Sequence, residues 1–138
     1  MIKKISLDEI DVSKLTSIKS REKWYGTQDH SRWIFYDSDN KLYYKIWNDT
    51  YIRKNTIPSA INSGFYDEEL LPSLVGLIYW EDVCRGYVMK ECEKYGVLED
   101  DFFNEIKRRT NETKMFAYDL CPNHIFKYNG KVTIIDLE

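Results

Sequence analysis

Residues 118–138 read YDLCPNHIFKYNGKVTIIDLE, and this stretch decides the fold expected for the chain. HIF and KVTII are short apolar runs separated by YNG, and an Asn-Gly pair is a strong signal for a two-residue hairpin turn. Asp119 lies shortly before the first run, and Asp136 ends the second. The stretch therefore predicts a β-hairpin with a carboxylate on either side of it in the sequence.

A second hairpin is predicted upstream. SRWIFYD (31–37) and KLYYKIW (41–47) are rich in strand-forming residues, and SDN between them has turn chemistry. Alternation along the second strand places Lys45 on the same face as Tyr43 and Trp47. A cationic side chain is therefore expected among aromatic ones.

The middle of the chain predicts a third hairpin followed by a helix. SLVGLIYW (73–80) and GYVMKEC (86–92) flank EDVCR, and EKYG (93–96) is a polar hinge. The spacing predicts a helix over about 99–114. Its apolar stripe is expected to contain Phe102, Phe103, Ile106 and Met115.

Two other segments are less regular. Residues 1–20 alternate loosely, which fits a strand or a short helix against a surface, and the segment stays unassigned. Thr56 as N-cap, Pro58 in the first turn and Gly64 as the C′ residue predict a short helix.

Composition restricts the class of protein. The 138 residues are enough for one domain, and 43% hydrophobic with 31% charged residues is typical of a folded globule. A net charge of −3 provides no global positive field for nucleic acid or an anionic membrane. No run approaches the ~18 apolar residues of a membrane span.

Cysteine usage and the first residues predict a reducing, cytoplasmic setting. The three cysteines are odd in number and widely spaced, so no disulfide framework is expected. Cys121 and His124 have ligand-like spacing, but the only other histidine is His30 and no second pair completes a zinc site. The acidic residues from Asp8 onward interrupt any signal-peptide pattern.

The order of these features resembles the protein-kinase-like superfamily, which includes small-molecule kinases related to aminoglycoside and choline phosphotransferases. The resemblance covers roughly 31–138: a strand lysine, two strands, a hinge, a helix, an Asp-Leu loop and a hairpin ending in Asp. It implies an α+β fold in one domain, 1–138, with an antiparallel small lobe over about 1–92. The hinge and a much reduced helical lobe follow over 93–138.

The resemblance implies a role for each polar residue. Lys45 of YYKIW corresponds to the lysine that pairs with ATP phosphates, and Asp119 of YDL to the base that orients the acceptor hydroxyl. Asp136 of IIDLE corresponds to the Asp that binds Mg²⁺. The adenine is expected against the backbone of four consecutive residues, Met89, Lys90, Glu91 and Cys92.

Several positions depart from the family pattern. The metal-binding amide of D-L-x-x-x-N falls on His124, with Asn123 one step earlier, so either residue is a candidate ligand. The only glycine before Lys45 is Gly26, so a glycine-rich phosphate loop is missing. No helix glutamate stands where it would pair with Lys45; Glu68 or Glu69 is a possible substitute. Glu138 replaces the usual glycine, which is more similar to the small-molecule kinases.

Two functions follow from the resemblance. The first is a minimal phosphotransferase that depends on ATP and Mg²⁺. The second is a catalytically inactive, pseudokinase-type module that binds or inhibits a protein partner. Under either one, a reduced large lobe would leave the helix poorly covered, so self-association is expected.

Overall fold

The computed structural model describes residues 2–17, 32–47, 61, 64, 66–113, 122 and 125–134. Their strands are β1 (Lys3–Ser6), β2 (Thr16–Ser17), β3 (Arg32–Asp37), β4 (Leu42–Trp47), β5 (Leu74–Trp80), β6 (Val83–Lys90), β7 (Glu93–Lys94), β8 (Ile125–Tyr128) and β9 (Lys131–Ile134). The α-helix α1 spans Asp100–Thr113, and short 3₁₀ helices span Leu7–Glu9, Val12–Lys14 and Glu68–Leu70. The chain is therefore a small α+β protein, as its sequence predicts.

The larger sheet has six strands in the order β1-β5-β6-β4-β3-β2. All neighbours are antiparallel except β1, which pairs with β5 in parallel, so the sheet is mainly antiparallel, as expected for the small lobe, and mixed at this edge. Gly76 permits the parallel pairing. A Cβ at this position would lie 2.7 Å from the Lys3 carbonyl oxygen and 2.9 Å from Ile5 Cδ1.

The hairpin of β3 and β4 is confirmed. Asp37 ends β3 and accepts hydrogen bonds from the backbone N–H groups of Asp39 and Asn40 at 3.1 and 3.2 Å. A short polar side chain that satisfies the backbone in this way stabilises the turn locally.

The hairpin of β5 and β6 is also confirmed, but its turn is shorter than predicted. Only Glu81 and Asp82 leave the strands, with φ of 51° and 65°. Two consecutive left-handed residues make the tight turn whose twist matches that of the flanking strands. Val83, Cys84 and Arg85 therefore belong to β6 and not to the connection.

Helix α1 begins and ends within one residue of its predicted limits in the described chain. Ile106 and Thr110 are buried one turn apart, whereas Phe102 is exposed at the edge of the predicted stripe. Its ring lies 5.7 Å from that of Tyr95. Among the described residues, no helix combines the length and apolar character needed to cross a bilayer.

A three-stranded sheet, β7-β8-β9, contains the predicted C-terminal hairpin. Asn129 and Gly130 have φ of 49° and 77°, which confirms the Asn-Gly turn. Part of the predicted hinge is strand β7, where Glu93 pairs with Lys127.

The chain divides into two compact units, Met1–Lys54 with Leu74–Glu91, and Asn55–Ser73 with Cys92–Glu138. The buried apolar residues of the first unit are Trp47, Leu74, Leu77, Ile78, Cys84, Tyr87, Val88 and Met89. Those of the second are Ile61, Leu70, Leu71, Ile106, Ile125 and Ile134.

The short helix predicted between Thr56 and Gly64 lies almost entirely outside the described residues. At its end, Gly64 has a φ of 75° and donates its N–H to the Ile61 carbonyl at 3.1 Å. A left-handed glycine at this position agrees with the predicted C′ role.

Candidate functional site

Lys45 lies near the middle of the six-stranded sheet. Its strand, β4, has β3 on one side and β6 on the other, and the register partners of Lys45 are Ile34 and Tyr87. Directly opposed residues project from the same face, so all three side chains share one side of the sheet. Trp47 lies on this side as well, in agreement with the predicted alternation.

The Lys45 side chain is almost fully buried, with 6% of its surface exposed. Its Nζ lies 5.8 Å from the ring centroid of Tyr87, and that ring is 5.7 Å from the ring of Trp47. An ammonium within about 6 Å of an aromatic centroid is attracted by the ring quadrupole. Lysine is rarely buried to this degree. Here the buried amino group lies beside the aromatic ring of Tyr87.

Gly86 sets the close approach of β6 to the Lys45 backbone. A Cβ built on Gly86 would overlap the Lys45 carbonyl oxygen and would lie 3.0 Å from Ile46 Cα. Only glycine fits this contact without a shift of one strand. The position of Lys45 within the sheet therefore depends on a residue of the neighbouring strand.

The four residues predicted to contact adenine are at and just beyond the end of β6. Met89 is buried opposite Tyr43, and Lys90 is exposed. Glu91 donates its backbone N–H to the Lys41 carbonyl at 2.9 Å, which extends the ladder by one residue, and Cys92 is half-buried. The Glu91 N–H is thus hydrogen-bonded within the sheet, so an adenine bound here would form hydrogen bonds with other backbone groups.

One tyrosine that sequence reasoning missed, Tyr36, lies on the same side of the sheet as Lys45. Tyr36 of β3 is the register partner of Tyr43, and their rings are 4.7 Å apart at 38°. The Tyr36 hydroxyl donates a hydrogen bond to Glu91 Oε1 at 3.0 Å. Burial, together with this carboxylate, raises the pKa of the Tyr36 phenol. Alternation along 31–37 was the signal available for Tyr36; its bond to Glu91, 55 residues later, has no local signature.

In the second unit, α1 is joined to the 3₁₀ helix at Glu68–Leu70. Arg109 donates to both Asp67 oxygens, from Nε at 2.8 Å and from a terminal nitrogen at 2.9 Å. The same guanidinium contacts Glu69 at 3.2 Å. Glu69, one of the two possible partners predicted for Lys45, is therefore engaged with Arg109.

The remaining predicted site residues, Asp119, Asn123, His124 and Asp136, lie outside the described residues, as does Glu138. The roles that the resemblance implies for them therefore stay predictions. Within the described part of the chain, no group of three or more His, Cys, Asp or Glu side chains is arranged to hold a metal ion.

Comparison with known proteins identifies no relative. No family model matches the chain, and neither the curated proteins nor the solved structures contain a match. The kinase-like resemblance therefore depends on the identity and order of this chain's own residues.

Proposed function

We propose that the chain is a minimal kinase-like phosphotransferase that uses ATP and Mg²⁺. The observation that carries the proposal is the buried Lys45 on a strand paired directly with β6, whose last two residues begin the segment 89–92. The resemblance implies this arrangement: the strand that carries the lysine pairs with the strand that leads into the base-binding segment. Burial keeps the ammonium from full hydration, which strengthens its attraction for a phosphate.

The C-terminal hairpin supports a metal site beside it. Ile125 and Ile134 are register partners, so the chain enters and leaves the hairpin at the same end. Asn123 and His124 directly precede Ile125 in the sequence, and Asp136 follows Ile134 by two residues. Asp136 with Asn123 or His124 would hold Mg²⁺, for which carboxylate and amide oxygens are better ligands than imidazole nitrogen. The ion would neutralise charge on the phosphates.

In the proposed reaction, the acceptor hydroxyl oxygen forms a bond to the γ-phosphorus of ATP as the bond to the β–γ bridging oxygen breaks. Asp119 orients the hydroxyl and takes its proton, and ADP leaves with the bridging oxygen. Lys45 pairs with the α- and β-phosphates and stabilises the charge that develops on ADP. Each of the three roles is filled by a different residue of the chain.

The test is a titration of the full chain with ATP, in excess Mg²⁺ and in EDTA, followed by an assay for ADP formation. Binding should depend on Mg²⁺. Asp119→Asn should abolish turnover and leave affinity nearly unchanged, because the base acts on the acceptor. Lys45→Met should weaken binding and turnover together, whereas Lys3→Met, at an exposed lysine of β1, should change neither. Equal ATP affinity with and without Mg²⁺, or no effect of Lys45→Met in a folded variant, would contradict the proposal.

A pseudokinase-type module that acts on a protein partner is the second candidate, and the tip of the β5–β6 hairpin favours it. Trp80 and Val83 are exposed on either side of a turn formed by two acidic residues in left-handed conformations. Two exposed apolar side chains at one tip form a surface suited to contact with a protein partner. A chain that binds ATP, shows no turnover with any acceptor, and loses partner binding on Trp80→Ala would support this function over the enzyme.

A further inference from the structure

The hydrogen bond between Tyr36 and Glu91 crosses the side of the sheet that carries Lys45, where a nucleotide would bind. Tyr36, Tyr43 and Met89 are consecutive register partners on β3, β4 and β6, so they project from one side of the sheet. Lys45 lies two residues from Tyr43 on the same strand and therefore on the same side. These residues and the lysine therefore share one side of the sheet, which we call the Lys45 face.

The Tyr36–Glu91 hydrogen bond spans this surface at one end. Tyr36 is on β3 and Glu91 extends β6, and β4 lies between these two strands. Neighbouring strands are about 4.8 Å apart, so the 3.0 Å contact closes a gap of about two strand spacings. The bridge begins beside Tyr43, whose ring lies 4.7 Å from that of Tyr36, and ends at Glu91, which is hydrogen-bonded to Lys41, the residue directly before β4.

We propose that Tyr36 and Glu91 form a latch that must open before nucleotide reaches Lys45. The inference rests on the proposed function, since it concerns ATP at that same lysine. A base in contact with residues 89–92, with phosphates at Lys45, must lie over Tyr43. The Tyr36 side chain and the Glu91 carboxylate meet at this place, so the latch and the base compete for it.

The energetic consequence is a reduced affinity in the latched protein. A ligand that binds only the open form has its affinity lowered by the fraction of molecules that are open. Loss of the hydrogen bond raises that fraction without adding a contact to the ligand. Removal of the latch should therefore tighten binding, which is the opposite of what the loss of a ligand contact does.

Two variants break the latch. Tyr36→Phe removes the donor and keeps the ring, and Glu91→Ala removes the acceptor, which Gln would retain in its amide oxygen. Tyr44→Phe is the matched control, because Tyr44 is on β4 but projects from the opposite face. Thermal unfolding of each variant establishes that it is folded before its affinity is compared.

The experiment measures ATP affinity by isothermal titration in excess Mg²⁺ for the full chain, both single variants, the double variant and the control. Each single variant should bind about three- to tenfold more tightly than wild type, as expected for one exposed hydrogen bond to a charged group. The double variant should bind no more tightly than the better single variant, because both remove the same contact. The control should match wild type.

The outcomes separate the latch from the function on which it rests. If wild type binds ATP and the folded variants bind it with equal or lower affinity, the latch is refuted and the proposed function is not. An equally large gain of ATP affinity in the control Tyr44→Phe also refutes the latch. Absence of binding in wild type and in all variants refutes the proposed function and the latch with it, whereas binding only by the opened variants supports both.

Discussion

A buried pair of hydroxyl groups offers a quantitative test of the second unit. Ser73, just before β5, and Thr133, on β9, share a hydrogen bond of 2.7 Å, in which either oxygen can be the donor. The two residues are 1% and 0% exposed. Thr133→Val keeps the branched shape of the side chain and removes the hydroxyl. The Ser73 hydroxyl is then left buried without this partner.

The cost follows from the asymmetry of buried hydrogen bonds. A polar group left buried and unsatisfied costs about 1–3 kcal/mol, whereas removal of both partners together is nearly neutral. Thr133→Val and Ser73→Ala should therefore each lower the free energy of unfolding by about 1–3 kcal/mol. The double variant should lose clearly less than the sum, with a coupling of about 1 kcal/mol or more. For a chain of this length, each 1 kcal/mol lowers Tm by roughly 3–5 °C.

Urea unfolding followed by circular dichroism measures the free energy of unfolding of wild type, both single variants and the double variant. Thr16→Val on β2 makes the same chemical change at an exposed threonine, and it should stay within about 0.5 kcal/mol of wild type. Additive losses in the double variant would refute the reasoning, because they would show that the two hydroxyls do not depend on each other.

Further predictions concern a close contact, a thiol and an ion pair. Gly86→Ala should cost about 1–3 kcal/mol in urea unfolding, because the added methyl group overlaps the backbone of β4; an unchanged midpoint would contradict this contact. Burial raises the pKa of the Cys84 thiol to about 11, so at pH 8 only roughly one thiol in a thousand is ionised, and peptide mapping should find it alkylated by iodoacetamide only in the unfolded chain. Because the folded thiol retains its proton while the unfolded one loses it, stability should fall as pH rises from about 9 towards 11, and a rise over this range would contradict the shift. Arg109→Lys should lose about 1 kcal/mol, since an ammonium cannot reproduce the two parallel bonds to Asp67, and full stability in the lysine variant would show that the paired geometry is unimportant.

Local sequence patterns were sufficient to predict most of the helices and strands. The Asn129-Gly130 turn, the limits of α1 and the alternation that turns Lys45 towards Trp47 each depend on residues a few positions apart. Turn chemistry and side-chain periodicity act over this range, so the sequence carries them directly. The turn at Glu81 was predicted too long because neither of its residues is the glycine or asparagine that normally marks a left-handed position.

Local sequence patterns therefore account for the α+β class, the three hairpins and the helix, and they single out Lys45 as a candidate site residue. Three features became evident only in the folded chain: the parallel addition of β1 at Gly76, the burial of Lys45 against Tyr87, and the Tyr36–Glu91 bond across β4. Each of these joins residues about 40 to 70 positions apart in the chain. Strand order and register set such contacts, and no local pattern encodes them, because the same alternation is compatible with several neighbours for each strand.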